Sequence, residues 1–271
     1  LGADKVAKQK NYLGMLSDEE KTVVDGLLER YKSHLSIEQI AEGIRVTLAN
    51  AKELYEDAVV LHSKDRFGRS MSLFISSLEE LGKISVLSAM SRIPKNNQKL
   101  WSDAWFSFRN HQHKATWGFV NTYSDDVRSH PVLILNAAIR QFALADIGET
   151  FRQFGQYVDY HATEKRWLSP NEVTDADVAL WRSRVEATIL RIETFEAAGL
   201  YSERALEIQR DVYSDFNSDR PRRKDVLSED VVKSVANGPE LAKKYFLRLV
   251  EERVVDPELD LSVLGIPLTD L

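Results

Sequence analysis

The stretch Met71-Ser72-Leu73-Phe74-Ile75-Ser76-Ser77-Leu78-Glu79-Glu80-Leu81-Gly82-Lys83 decides the fold. Met71, Phe74, Ile75, Leu78 and Leu81 recur at steps of three and four, the period of one helix face rather than the alternation of a strand. The helix begins after the polar break Ser63-Lys64-Asp65-Arg66 and runs towards Met90, with Pro94 beyond its end. The carboxylates sit oddly on it. Glu79 shares a face with Ile75 and Val86, and Glu80 neighbours Leu73, Ile84 and Leu87, so at least one of them is expected to be half-buried. A carboxylate removed from water needs a cation or several donors, and Lys83, four residues after Glu79, supplies part of that need. Gly82, in the helix interior, costs about 1 kcal/mol against alanine, a cost kept where another backbone packs closely. Read alone, the pattern is a surface ion pair beside a packing glycine.

The segment Trp105-Phe106-Ser107-Phe108-Arg109-Asn110-His111-Gln112-His113-Lys114 alters that reading. It lies on a helix expected from about Gln98 into the region of Trp117, with its aromatic residues anchoring the helix in a core. On a continuous helix Arg109 and His113 are neighbours at i+4, and His111 and Lys114 are neighbours at i+3. A phosphodiester site wants a permanent cation and an imidazole that exchanges a proton near neutral pH, and both are present. The plainer reading has one histidine capping a helix or pairing with a glutamate of the preceding helix, while Arg109 and Lys114 are solvated.

Further out, the chain is punctuated for helices throughout, and strand signals are nearly absent. Ser17-Asp18-Glu19-Glu20 is a capping-box sequence before Val23, Val24, Leu27, Leu28 and Tyr31. Ser36 with Gln39 opens a helix of about 25 residues, nearly 40 Å long, that reaches His62. Pro131 suits the first turn of a helix reaching about Tyr160, and residues 161–173 read as a connector. Thr174 caps a helix ending at Gly199, and Ser202 starts another through about Phe216. The run Asp219-Arg220-Pro221-Arg222-Arg223-Lys224-Asp225 is a solvated linker, with short helices from Ser228 and Pro239 after it. The expected architecture is all-α: residues 1–165 form an N-terminal helix and a bundle, and residues 166–271 form a helical region packed on it.

Composition excludes several classes. The 271 residues are 43% hydrophobic and 29% charged, those of an ordinary globular chain. No apolar run approaches the roughly 18 residues a bilayer span requires, and no export signal is visible at the start, so a soluble cytoplasmic protein without membrane partners is expected. With no cysteine, disulfides, thiolate metal sites and thiol nucleophiles are absent. A formal net charge of -6 argues against coating nucleic acid non-specifically, so any RNA contact must be local. There is no Gly-rich phosphate loop, serine nucleophile motif or zinc spacing. His34 and His62 sit at helix ends, where a cation complements the dipole, and His130 and His161 fall in breaks.

Four segments taken together carry a resemblance: residues 50–58 (Asn50-Ala51-Lys52-Glu53-Leu54-Tyr55-Glu56-Asp57-Ala58), Phe67-Gly68-Arg69-Ser70, Glu79-Glu80-Leu81-Gly82-Lys83, and the group Arg109, His111 and Lys114. They resemble the AbiV family of abortive-infection proteins, a branch of the HEPN superfamily. The likeness covers about residues 36–160, and Tyr157-Val158-Asp159-Tyr160 and Trp167-Leu168-Ser169-Pro170 extend it. It implies a phage-defence protein built as a helical bundle that forms a homodimer, with the polar motif of each copy meeting in a shared cleft. Many HEPN members are metal-independent RNases whose motif is an arginine followed a few residues later by a histidine. In them the RNA 2′-OH attacks, the histidine assists proton transfer and the arginine steadies phosphate charge. This chain departs from that spacing: Lys114 stands where the histidine is expected, and His111 and His113 come early.

Two functions therefore stand open. In the first, a metal-independent endoribonuclease without cofactor, Arg109 and Lys114 bind phosphate, His111 or His113 transfers the proton, and Glu79, Glu80 and Lys83 orient them. In the second, a non-catalytic interaction protein, the same cluster knits the dimer and the helical C-terminal part binds a phage or host factor. A carboxylate-histidine metal site from Glu79, Glu80, His111 and His113 ranks third, because the chain has no Glu-x-x-His pair.

Overall fold

The computed structural model describes residues 17, 31–111, 113–115, 147–213, 241 and 243–255. The chain divides into two compact units, 1–33 and 34–271. Of the first, only Ser17 and residues 31–33 are described, so the helix expected after Ser17 lies outside the described residues. So do the linker with Arg220, Arg222, Arg223 and Lys224, the helix start at Pro131, and the tail from Pro257.

The second unit is mostly helical. Helix α1, Ile37–His62, opens on Ser36: its hydroxyl accepts from the Gln39 amide, and the Gln39 side chain accepts from the Ser36 amide. Two orphan donors of the first turn are thus satisfied, as the capping box foretold. Asp65, in the left-handed region at φ 57, reverses the chain into α2, Phe67–Met90. The two helices run antiparallel along a seam of small residues. Ser70 Oγ donates to the Ala58 carbonyl and Ser77 Oγ to the Ala51 carbonyl, each at 2.7 Å. Side chains this small let the helix backbones approach, and the hydroxyls are satisfied without any side-chain partner. Helix α3, Gln98–Arg109, is capped by Asn97, whose side chain accepts from the Leu100 amide.

A helical segment follows at 147–154, then a two-stranded antiparallel ribbon of β1 (Asp159–His161) and β2 (Arg166–Leu168), and a 3₁₀ turn at Pro170–Glu172. The ribbon corrects two expectations, a helix reaching Tyr160 and a plain connector over 161–173. The helix stops earlier because Gly155 lies directly against Gly68 of α2: a Cβ on Gly155 would meet the Gly68 carbonyl oxygen, and one on Gly68 the Pro170 carbonyl oxygen at 2.5 Å. Helix α4, Asp175–Ala197, begins at the Thr174 cap and leaves its axis at Gly199, with φ 77. Helix α5 spans Glu203–Tyr213, and residues 243–251 form a further helical segment.

The core joins Met71, Phe74, Ile75, Leu78 and Leu81 of α2 to Ile40, Ile44 and Leu48 of α1 and to Trp181, Val185 and Ile192 of α4. Each fully buried aliphatic or aromatic side chain contributes roughly 1.5–3 kcal/mol. A second cluster packs Ile208 and Val212 of α5 against Phe246 and Leu249. Polar bonds also tie α1 to α4: Lys52 to Glu193 at 2.6 Å, Tyr55 to Glu186 at 2.5 Å, and His62 to Asp175 at 2.6 Å. Among the described residues, no helix is long and apolar enough to cross a membrane.

The glycine crossing gives a paired test by urea unfolding. Gly155→Ala forces backbone against backbone and is expected to cost about 1–3 kcal/mol or more. Gly43→Ala, in the interior of α1 with only the Leu87 methyls at 3.4 and 3.6 Å, is expected to gain up to about 1 kcal/mol from helix propensity.

Candidate functional site

Glu79 leaves α2 on its core side and is 4% exposed. An ionised carboxylate there requires compensation, and three side chains from two distant stretches of sequence supply it. His111 Nδ1 lies 2.6 Å from Glu79 Oε2, Lys114 Nζ lies 3.4 Å from the same oxygen, and Arg152 Nε lies 3.8 Å from Oε1. Lys114 is itself buried, whereas the His111 side chain is 53% exposed. The imidazole therefore stands at the mouth of the site with the carboxylate behind it.

This convergence depends on a break in the backbone. Helix α3 ends at Arg109, and Asn110 is extended at φ -82, ψ 123. Asn110 then caps a second helical turn, its side-chain oxygen accepting from the His113 amide at 3.1 Å and its carbonyl from the Lys114 amide at 3.0 Å. Asparagine favours this N-cap role, which is why the chain turns here. The expected continuous helix to Trp117 is thus corrected. Angular relations survive only within the second turn, where His111 and Lys114 both face Glu79. Arg109 stays with α3, its guanidinium over the Trp105 ring at 4.9 Å. His113 turns back instead, Nδ1 at 3.1 Å from Ser107 Oγ and its ring edge-on to Phe106.

Lys83 is also placed differently. It bonds Glu80 at 2.6 Å, not Glu79, and its ammonium lies over the Phe108 ring at 5.1 Å. The half-buried Glu80 and Lys83 satisfy one another, leaving Glu79 to cations from elsewhere. Of the seven residues expected at the site, Glu79, His111 and Lys114 come together, Glu80 and Lys83 form a separate pair, and Arg109 and His113 take aromatic and hydroxyl partners.

Two members were missed. Arg152 forks onto Glu149, with Nε to Oε2 at 2.9 Å and Nη2 to Oε1 at 2.8 Å, while reaching Glu79 with its inner edge. Burial pushes the Glu149 carboxyl up, but the hydrogen bonds from Arg152 and Gln153, and the charges of Arg152 and His111, outweigh it and hold the group below its ordinary range. The Glu149 hydrogen bond in turn raises Arg152. The only signal in the sequence was an i,i+3 Glu-Arg pair, the same signature a solvated helix face carries.

Glu79, His111 and Glu149 each offer one ligand atom, all within 4.8 Å of one another, a spacing a cation could use. Lys114 and Arg152 already neutralise those carboxylates, so a divalent ion would have to displace Arg152 from Glu149 against two resident positive charges. The arrangement suits proton transfer better than metal binding: with a carboxylate as acceptor, His111 Nδ1 is the donor in this hydrogen bond and Nε2 stays outside it.

A family model described as AbiV, of the HEPN_AbiV kind, matches residues 39–191, more than half of the chain, and takes in Glu79, His111, Lys114, Glu149 and Arg152. No curated protein and no solved structure matches the chain.

Removing the central carboxylate strands buried positive charge. Glu79→Ala is expected to lower unfolding free energy by about 3–5 kcal/mol in urea titrations, and Glu80→Ala, at a half-buried pair, by distinctly less. Because the folded-state Glu149 carboxyl is depressed, its contribution is complete above the ordinary carboxylate range and is lost as pH falls through the depressed value. Urea midpoints measured down the acid limb should fall less steeply in Glu149→Gln than in the parent.

Proposed function

The chain belongs to the AbiV family, its function being accordingly of the abortive-infection, HEPN type, and on that premise we propose that it is a metal-independent endoribonuclease. The observation that carries this reading is the half-exposed His111 ring held through Nδ1 by the buried Glu79 at 2.6 Å. A carboxylate in that position fixes the tautomer and stabilises the imidazolium once it forms. His111 Nε2 takes the proton of an RNA 2′-OH, and that oxygen attacks the adjacent phosphorus. A 2′,3′-cyclic phosphate forms, and the 5′-oxygen leaves after protonation by an imidazolium. Arg109, Lys114 and Arg152 supply the positive charge that steadies the phosphorane. The geometry favours His111 over His113, whose Nδ1 is engaged with Ser107. The active form is a homodimer with both copies of the motif at one cytoplasmic cleft, and Glu80 with Lys83 braces the helix that carries Glu79.

A second reading is favoured by one feature. Tyr160 and Trp167 meet edge-to-face across the ribbon with centroids 5.4 Å apart, and both are exposed. Such an apolar face suits a phage or host protein bound without catalysis.

Incubating the purified chain with labelled single-stranded and structured RNA, with and without EDTA, separates the readings. The nuclease reading expects cleavage that survives EDTA and leaves cyclic phosphate ends. It expects His111→Ala to slow cleavage by about 10²–10⁴-fold and His113→Ala by far less, with circular dichroism showing that both fold. Cleavage abolished by EDTA would overturn metal independence. A chain that cleaves nothing and captures a phage or host protein would select the interaction reading.

A further inference from the structure

We infer that the cavity between the helical segment 147–154 and β1 is a nucleobase pocket, receiving an unpaired base with an exocyclic amino group from the strand whose phosphate meets His111. This rests on the endoribonuclease reading and extends it to a substrate preference.

The cavity has a volume of about 590 Å³, and its lining combines the rings of Phe151, Phe154 and Tyr157 with the polar Glu149, Gln153, Asp159 and His161. That size lies within the range of small-ligand sites and admits a nucleotide. Three aromatic rings at one cavity are the material from which sequence-tolerant base stacking is made. Tyr157 is 60% exposed, so it stands at the rim and can close on an entering ring.

Charge decides what enters. The described lining has no lysine or arginine, and of its two carboxylates Glu149 has both oxygens engaged by Arg152 and Gln153, which leaves Asp159, with His161 also in the lining, to set its polarity. Asp159 therefore favours amino and ring N–H donors over a phosphate. Asp159 uses one oxygen on the Tyr160 amide at 2.7 Å, and a carboxylate has a second. Adenine, cytosine and guanine each present an amino group to such an edge. Uracil presents one N–H flanked by carbonyls, which face the carboxylates unfavourably.

Position links the cavity to the chemistry. Glu149 lines the cavity and is bonded through both oxygens to Arg152, which reaches Glu79. A base seated against Glu149 therefore lies one side chain from the His111 dyad, with its own phosphate directed to the cationic side. Alternation along β1 turns Asp159 and His161 towards the cavity and Tyr160, paired with Trp167, away from it.

The test uses the full chain and short single-stranded RNAs of each of the four bases, 2′-O-methylated so that they cannot be cut, measured by fluorescence anisotropy, with the four nucleoside monophosphates as competitors. The A, C and G strands are expected to bind about tenfold or more tighter than U, and Tyr157→Ala to weaken them about tenfold. Asp159→Asn should narrow the gap between U and the others. Both positions are exposed, so thermal melts should match the parent. Equal binding of the four strands, unchanged in Tyr157→Ala, overturns the pocket even where His111→Ala still abolishes cleavage of ordinary RNA. Tyr157-dependent discrimination among the monophosphates, without cleavage of any RNA, keeps the pocket, assigns it to free nucleotides and removes the nuclease. Failure to bind strand or monophosphate removes the pocket and leaves the aromatic ribbon to a protein partner.

Discussion

The burial of Glu79 is the constraint on which the rest of the molecule turns. A carboxylate at 4% exposure is tolerable only with cations and donors close by, and α2 supplies none of them, since Lys83 is committed to Glu80. The partners come from the turn after α3 and from the segment 147–154. Three separate stretches are therefore bound to one point by charge, in a chain whose hydrophobic core would accept more than one packing angle. The site is in this sense part of the folding problem as well as its product.

Arg152 reaches Glu79 because the backbone around it is pinned to α2 by contacts that have nothing to do with charge. Gly155 crosses Gly68 at a separation that excludes any side chain, and Ser72 Oγ donates to the Arg152 carbonyl at 2.9 Å. Ser72 and Glu79 are seven residues apart on one helix, two turns or about 10 Å along its axis. The Arg152 and Glu79 side chains together bridge that distance from a fixed root. On the opposite side of α2, the serine-alanine seam holds α1 equally close, so the helix carrying Glu79 is clamped on two faces.

Local chemistry was legible in the sequence wherever a residue's partner lay within a turn. The Ser36–Gln39 capping box and the Thr174 cap gave the starts of α1 and α4, and the helix termination at Gly199 followed from its glycine. That at least one of Glu79 and Glu80 is withdrawn from water was legible too, because their apolar neighbours on α2 are fixed by helix geometry, but not which of them lies deeper. Hidden from such reading was anything set by distant contact. Asn110 interrupts a helical pattern that continues on both sides of it, and only its role as a cap reveals the break. The ribbon was hidden for another reason: its turn uses Lys165 at φ 52, where glycine or asparagine would have announced a hairpin, and its strands are three residues long. Arg152 escaped because its local bond to Glu149 masks its distant one to Glu79.

The charges of the cluster also bear on when it acts. On the proposed reading, Lys114 and Arg152 balance Glu79 and Glu149 before the proton moves, so these four charges cancel. In the proposed nuclease reaction, uptake of the 2′-OH proton at Nε2 would add a positive charge to the cluster in a setting where Glu79 is shielded from water. That gain coincides with the step at which the attacked phosphorus carries its greatest negative charge. A site of this kind holds the phosphorane more strongly than the resting phosphate, and only such a difference accelerates a reaction. Resident cations committed to carboxylates are then no defect. They balance the two carboxylates beforehand, so that in the proposed mechanism the proton taken up at His111 would be the source of the differential.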